Sequence, residues 1–189
     1  MEKKPEQLET ATEKVRAAQK EKPDGASELY FWAQALAFAL AFLVLINTFF
    51  FRLSGVHGSS MYDTLEDGDQ LILQVIGYHE PQRGDIIVCT SDAFGGEALV
   101  KRVIAVEGDT LDIDGSGNVV LNGETLSEPY IYELIRSEKR GNQRYPVTVD
   151  EGCIFVMGDN RNGSTDSRYT EVGQISCQRV IGKALFRIW

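Results

Sequence analysis

The chain has 189 residues, 28 acids against 19 bases, and a formal net charge of −9. An apolar content of 43% excludes disorder along the whole chain, because enough side chains are present to build a core. The acidic balance argues against nucleic-acid binding, which needs a basic footprint for phosphate.

Residues 1–28 hold six bases (Lys3, Lys4, Lys14, Arg16, Lys20, Lys22), seven acids and no aromatics. They read as a solvated polar arm, and any helix in it should end before Pro23 and Gly25. Residues 29–51, LYFWAQALAFALAFLVLINTFFF, carry no charge. As a helix at 1.5 Å per residue, these 23 residues reach ~34 Å, enough for a hydrocarbon layer of ~30 Å. Gln34, Asn47 and Thr48 are the clearly polar side chains inside, and Tyr30 and Trp32 sit at one end, where amphipathic rings favour the interface. A buried core helix would show a polar stripe. A cleavable secretory signal would have a shorter apolar run followed by small residues, whereas this run ends in Phe49-Phe50-Phe51-Arg52. The segment therefore predicts an uncleaved transmembrane anchor.

The bases set its orientation. Six precede the run, and after Arg52 the next Lys or Arg is Arg83. Only Lys and Arg count in the positive-inside rule, so the N-terminus is expected in the cytoplasm and residues 52–189 outside, in a single-pass plasma-membrane protein. That outer part holds 21 acids and 13 bases.

Beyond the anchor, short β-type runs alternate with Gly, Asp and Asn. Strands are predicted at Gln70–Ile76, Asp85–Cys89, Leu99–Val106, Thr110–Ile113, Val119–Leu121, Cys153–Met157 and Val180–Ile188. Asp114-Gly115-Ser116-Gly117-Asn118 reads as a hairpin connection. No helix-period segment of comparable strength appears, so the domain should be mainly antiparallel β. Residues 128–149 are polar and poorly patterned, consistent with an irregular excursion. Cys89, Cys153 and Cys177 form no CxxC and have only His57 and His79 as further soft ligands. A zinc site is not expected, and buried small hydrophobes are the simplest role for the thiols.

Three segments could carry chemistry. Strand alternation puts Leu99, Lys101 and Val103 on one face. A lysine between apolar neighbours is either a rim residue that snorkels to water, which position alone favours, or a desolvated amine with a lowered pKa. The desolvated amine would be a competent base for a serine hydroxyl. Gly58-Ser59-Ser60 is a small-residue turn whose N–H groups can face an oxyanion, although an ordinary connector has the same composition. Gly158 to Arg168 is dense in groups that bond backbone, as solvated loops are. Within it Asp166 and Arg168 can pair, and Asp159 can meet Arg102 or Arg161.

Together, in this order and after an N-terminal anchor, these segments resemble bacterial type I signal peptidase. The family's serine motif, Gly-x-Ser-Met-x-Pro-Thr-Leu, is met by Gly58-Ser59-Ser60-Met61-Tyr62-Asp63-Thr64-Leu65. Its lysine motif, Lys-Arg-Val-x-x-x-x-Gly-Asp, is met by Lys101 to Asp109. Its Gly-Asp-Asn-Arg-x-x-Ser-x-Asp-Ser-Arg is met by Gly158 to Arg168, and Arg83-Gly84-Asp85-Ile86 matches a fourth motif. Asp63 departs from the usual proline. Gly58 is similar to Gram-positive members, where Gram-negative ones carry a serine, and the single anchor and short length resemble the same type.

The resemblance implies a β-rich, partly open barrel-like catalytic domain of the Ser-Lys type. It implies Ser60 as nucleophile and Lys101 as general base, working through an acyl-enzyme without metal or cofactor. The Ser60 N–H would serve the oxyanion, with a contribution near Gly58. Ser164 matches the serine that bonds the catalytic lysine, and Asp159, Asp166, Arg168 and Arg102 would be supports. Val56, Met61, Leu65, Leu99 and Val100 align with substrate-pocket positions. The implied partners are secretory preproteins, cut after Ala-x-Ala, and the lipid bilayer, with the enzyme a monomer. Two alternatives share the fold. A self-cleaving repressor-like Ser-Lys peptidase would carry a DNA-binding unit in place of the anchor. A catalytically impaired, membrane-anchored binding protein would have lost Ser or Lys, and both are present here.

Overall fold

The computed structural model describes residues 25–188. The chain divides between Leu45 and Ile46 into two compact units. Helix α1 (Gly25–Phe50), most of which belongs to the first unit, has a mean hydropathy of 2.2 over its most apolar window. It is long and apolar enough to cross a membrane, and none of that window is buried within the protein. The helix begins four residues before the uncharged run, with Glu28 in its first turn, where a carboxylate complements the helix dipole. It ends at Phe50, because Phe51 to Gly55 pair with a strand. The polar arm lies outside the described residues except Gly25–Glu28, which form the first turn of α1.

Every strand pairing in the second unit is antiparallel. Its strands are β1 (Phe51–Gly55), β2 (Gln70–Gln74), β3 (Ile86–Thr90), β4 (Ala98–Val106), β5 (Thr110–Ile113), β6 (Val119–Leu121), β7 (Glu124–Thr125), β8 (Val147–Thr148), β9 (Cys153–Met157), β10 (Ile175–Ser176) and β11 (Val180–Ile188). A seven-stranded sheet, in the order β1-β2-β11-β3-β4-β9-β10, curls as an open half-barrel, and β7-β6-β5-β8 form a smaller sheet. Among the described residues after Phe50, helical structure is confined to three-residue 3₁₀ turns.

Alternation along the strands builds the core. In β9, Ile154 and Val156 join one apolar cluster with Ile87, Cys89 and Val103. Phe155 and Met157 point the other way, into a cluster with Leu111, Ile113, Val119 and Leu121 of the smaller sheet. The larger sheet is thus covered on both faces at its centre, which is why β9 reads CIFVM with no polar alternate. A register shift between Val103 and Ala105 sends both Ile104 and Ala105 into the second cluster. Each fully buried side chain of this size contributes roughly 1.5–3 kcal/mol by leaving water.

All seven predicted strands form, within two residues of their predicted ends. The short strands β7, β8 and β10 were not predicted, because two residues show no period. β1 was hidden at the end of the apolar run. The 114–118 hairpin forms as expected: Asp114 Oδ1 accepts from Ser116 N at 2.8 Å and from Asn118 N at 2.9 Å. Gly117 has φ +88°, and a Cβ there would lie 2.0 Å from the Ile135 carbonyl oxygen. Only glycine lets the 128–136 excursion seat Ile135 in the core. The cysteines are unpaired thiols, and Cys89 is fully buried. Burial pushes its thiol up to about 11, against a smaller downward pull from Lys101, so it stays protonated.

Candidate active site

Lys101 enters from β4 and Ser60 from the turn after β1. Lys101 is 3% exposed, and its Nζ lies 2.8 Å from Ser60 Oγ and 3.1 Å from the Val100 carbonyl oxygen. The strand face anticipated from alternation is apolar on both sides: Leu99 and Val103 pack in the same cluster. The lysine is therefore desolvated and does not snorkel. Burial lowers its pKa from the ordinary lysine value, Asp166 and Cys89 pull it back up, Arg168 pushes it further down, and the net direction is downward.

The segment after β9 holds this pair in place. Asp166 is fully buried. Its Oδ2 accepts from Ser164 Oγ at 2.7 Å, Gly158 N at 3.0 Å and Arg168 Nη2 at 2.9 Å, and its Oδ1 accepts from Arg168 Nε at 2.8 Å. Burial alone would raise this carboxyl, but the Arg168 guanidinium and the two other donors outweigh it and hold it below the usual range. Arg168 spends its remaining donors on the carbonyls of Lys139, Arg161 and Ser164. The Ser164 hydroxyl donates to Asp166, while Lys101 bonds Ser60 and the Val100 carbonyl.

A second ion pair ties the motifs together. Asp159 receives a two-pronged bond from Arg102, Nε at 2.8 Å and Nη2 at 2.7 Å, and Thr64 Oγ1 at 2.6 Å. Arg102 Nη1 donates to the Gly84 carbonyl at 2.8 Å. Arg83 in turn donates through Nε to Asp109 at 2.7 Å. Four segments distant in sequence thus meet around one arginine, which makes the frame cooperative: an isolated loss strands a buried charge.

The turn bearing Ser60 is fixed by backbone. Asn160 N donates to Ser60 O at 3.1 Å, and Asn160 Nδ2 to Ser59 O at 3.0 Å. Gly158 lies against the same carbonyl: a Cβ there would sit 2.3 Å from Ser60 O and 2.4 Å from Ser164 Oγ. Gly58 has φ +82°, and its N–H donates to Asp67 Oδ1 at 2.8 Å. Among the described residues none accepts from the Ser60 N–H, which stays available to a ligand.

A cleft of about 220 Å³ opens on Ser60 and Lys101, lined also by Ser54, Gly55, His57, Val88, Phe94, Ala98, Leu99, Val100 and Thr165. Of the predicted pocket residues, Leu99 and Val100 reach it. Val56, Met61 and Leu65 do not line it; they lie with Leu71 and Leu73 in a buried cluster that also takes in Val88 and Val100 of the cleft wall.

Several supports were not singled out from the sequence. Gly158, Asn160 and Thr64 lie inside the quoted motifs, so their positions were visible but their contacts were not. Glu128 and Tyr130 had no sequence signal. Glu128 forms a buried ion pair with Arg161 at 2.5 Å, and the Tyr130 ring lies 4.0 Å from the Arg102 guanidinium carbon. Among the described residues no cluster of His, Cys, Asp and Glu is arranged to hold a metal.

Residues 29–189 match the family model described as Signal peptidase, peptidase S26. Signal peptidase I of Bacillus amyloliquefaciens is 36% identical over 162 residues, covering 82% of each chain. A probable signal peptidase I-1 of Synechocystis sp. is 37% identical over 163 residues, covering 82% of this chain and 79% of its own. A crystal structure of a signal peptidase I from Enterococcus faecalis V583 is 34% identical, with a TM-score of 0.44 over 57% of this chain and 97% of that one. With most of its length matched, the chain belongs to the signal peptidase family, peptidase S26, and is a serine peptidase of the kind that removes signal peptides.

Proposed function

We propose that the chain is a membrane-anchored endopeptidase that cuts exported preproteins after small residues, with Ser60 as nucleophile and Lys101 as general base. The observation that carries the reading is the 2.8 Å contact between Ser60 Oγ and a buried Lys101 amine whose pKa is lowered. A neutral amine takes the hydroxyl proton as Oγ attacks the scissile carbonyl carbon. The Ser60 N–H receives the developing oxyanion. Gly58, its own N–H held by Asp67, shapes the turn. The protonated Lys101 then gives its proton to the leaving amine, the mature chain departs, and water attacks the ester with Lys101 again as base. Asp166, Arg168, Ser164, Asp159 and Arg102 hold this geometry without touching substrate.

Strand edges support the binding mode. β1 pairs only with β2, and β4 pairs with β9 only from Arg102 onward, so the edge of residues 98–101 is open among the described residues. An extended peptide entering the cleft can add between these edges as a strand. Alternation then turns its −1 and −3 side chains to the same face, toward Val88, Leu99 and Val100 in a small cleft, which suits Ala-x-Ala.

The charge-free helix and the six preceding bases support a single span over 29–51, an N-terminal arm in the cytoplasm and residues 52–189 outside as the peptidase domain. Leu53 and Phe186 are exposed and pair across Ile72 on one sheet face, an apolar row that supports contact with lipid. The enzyme acts as a monomer in this reading. No observation favours the impaired alternative, since nucleophile and base are in bonding contact. Purified full-length protein in detergent should cleave a preprotein with alanine at −3 and −1, and Ser60→Ala and Lys101→Ala should each abolish cleavage. Undiminished activity in either variant removes the dyad.

A further inference from the structure

Two large aromatic side chains stand in water beside the nucleophile. Tyr62, two residues after Ser60, is 41% exposed, and Tyr132 is 63% exposed. Their rings meet edge to face, with centroids 5.7 Å apart. Neither lines the cleft that opens on the dyad.

The segment that carries Tyr132 is held to the catalytic frame. Glu128 pairs with Arg161, Tyr130 lies on the Arg102 guanidinium, and Ile135 is buried in the core. Asn162 donates from Nδ2 to the Leu134 carbonyl at 2.9 Å and accepts from Arg136 N at 2.9 Å. Tyr62 is held by the turn whose N–H donates to Ser59 O at 3.1 Å. Rings fixed this way lose little freedom on binding, so a partner realises most of their contact energy. Two partly exposed tyrosines that pack on each other and are carried by anchored segments match the composition of a recognition surface.

Chain geometry says what reaches them. If the residues before the cut fill the cleft, which neither ring lines, those after it continue outside it on the Ser60 side. An extended chain advances ~3.3 Å per residue, and Tyr62 is only two residues from Ser60. The first two or three residues of the mature chain therefore have the length to reach the pair. We propose that Tyr62 and Tyr132 form a docking site for residues +1 to +3 of the preprotein, and that they discriminate in favour of flat or long side chains that can lie on a ring. The proposal rests on Ser60 as nucleophile and on the cleft as the site for residues before the cut.

The test uses the full-length protein in detergent and a preprotein series with Ala, Tyr or Lys at +2, the −3 and −1 alanines held constant. Wild type should favour Tyr and Lys over Ala by lower KM. Tyr132→Ala should raise KM for the Tyr and Lys substrates about 3–10-fold, the worth of one aromatic contact, and so erase their preference over the Ala substrate. Tyr132→Phe should retain the preference, and a second series varied at −1 should respond identically in wild type and variant. Equal KM across the +2 series in wild type, or an unchanged preference in Tyr132→Ala, overturns the proposal and leaves the dyad standing. A uniform kcat loss in Tyr132→Ala for every substrate also overturns it, by marking the ring as structural. Failure of wild type to cleave any preprotein overturns the dyad reading and this one together.

Discussion

Gly158→Ala tests how tightly the nucleophile is positioned. An added methyl would sit 2.3 Å from the Ser60 carbonyl oxygen, 2.4 Å from Ser164 Oγ and 2.6 Å from Ser164 Cβ, where ordinary contact begins at 3.4 Å. The deficit is about 1 Å, and neither neighbour yields freely. The Ser60 carbonyl is held by Asn160 N, and Ser164 is held by buried Asp166. The strain must move the Ser60 turn, the Ser164 loop or both, and either opens the contact with Lys101. A 1 Å misplacement of a reacting group costs on the order of 10²-fold in rate. The expected result is a kcat lower by roughly that factor, with KM little changed because Gly158 does not line the cleft. Steady-state cleavage in detergent, with a melting curve to show that the variant is folded, reads both. A folded variant with kcat within about threefold of wild type would refute the reasoning, since the loss expected from a misplaced nucleophile would be missing.

Other outcomes follow from the same frame. Because burial lowers the Lys101 pKa, cleavage should rise with pH through a value below the ordinary lysine ~10.4 as the amine deprotonates. A flat profile in a chemistry-limited assay counts against lysine as the base. Lys101→Met should be inactive yet more stable than wild type. A depressed lysine pKa costs stability in full below its folded value, and the cost fades as pH climbs toward the unfolded value of ~10.4. The gain in melting temperature should therefore be largest at low pH and shrink on the alkaline side. Asp166→Asn leaves Arg168 buried without its counter-ion and should cost roughly 3–5 kcal/mol in denaturant unfolding. Because the Asp166 pKa is lowered, its contribution is present above the unfolded value of ~3.9 and lost as pH falls through the folded one. The deficit of the variant should narrow in acid.

The amino-acid sequence alone determined the elements. The uncharged run marked α1, because a span long enough for lipid leaves a contiguous signal. The longer strands were legible because they are short apolar runs between glycine and acidic turns. The contacts of the site were legible as motifs: Lys101 with Ser60, Asp166 with Arg168 and Asp159 with Arg102 all meet. Tertiary structure decided what each position faces. Val56, Met61 and Leu65 are as apolar as Leu99 and Val100, yet they do not line the cleft, while the latter form its wall. An apolar residue is indifferent to which water-free surface it meets, so composition cannot separate core from pocket. Lys101 reads as a rim lysine by position, and only the apolar faces packed around it desolvate it and lower its pKa. The 128–149 stretch carries no period because its order comes from single long-range partners: Arg161 for Glu128, Arg102 for Tyr130 and Gly117 for Ile135. Such contacts leave no repeat in a chain, and they place the aromatic pair beside Ser60.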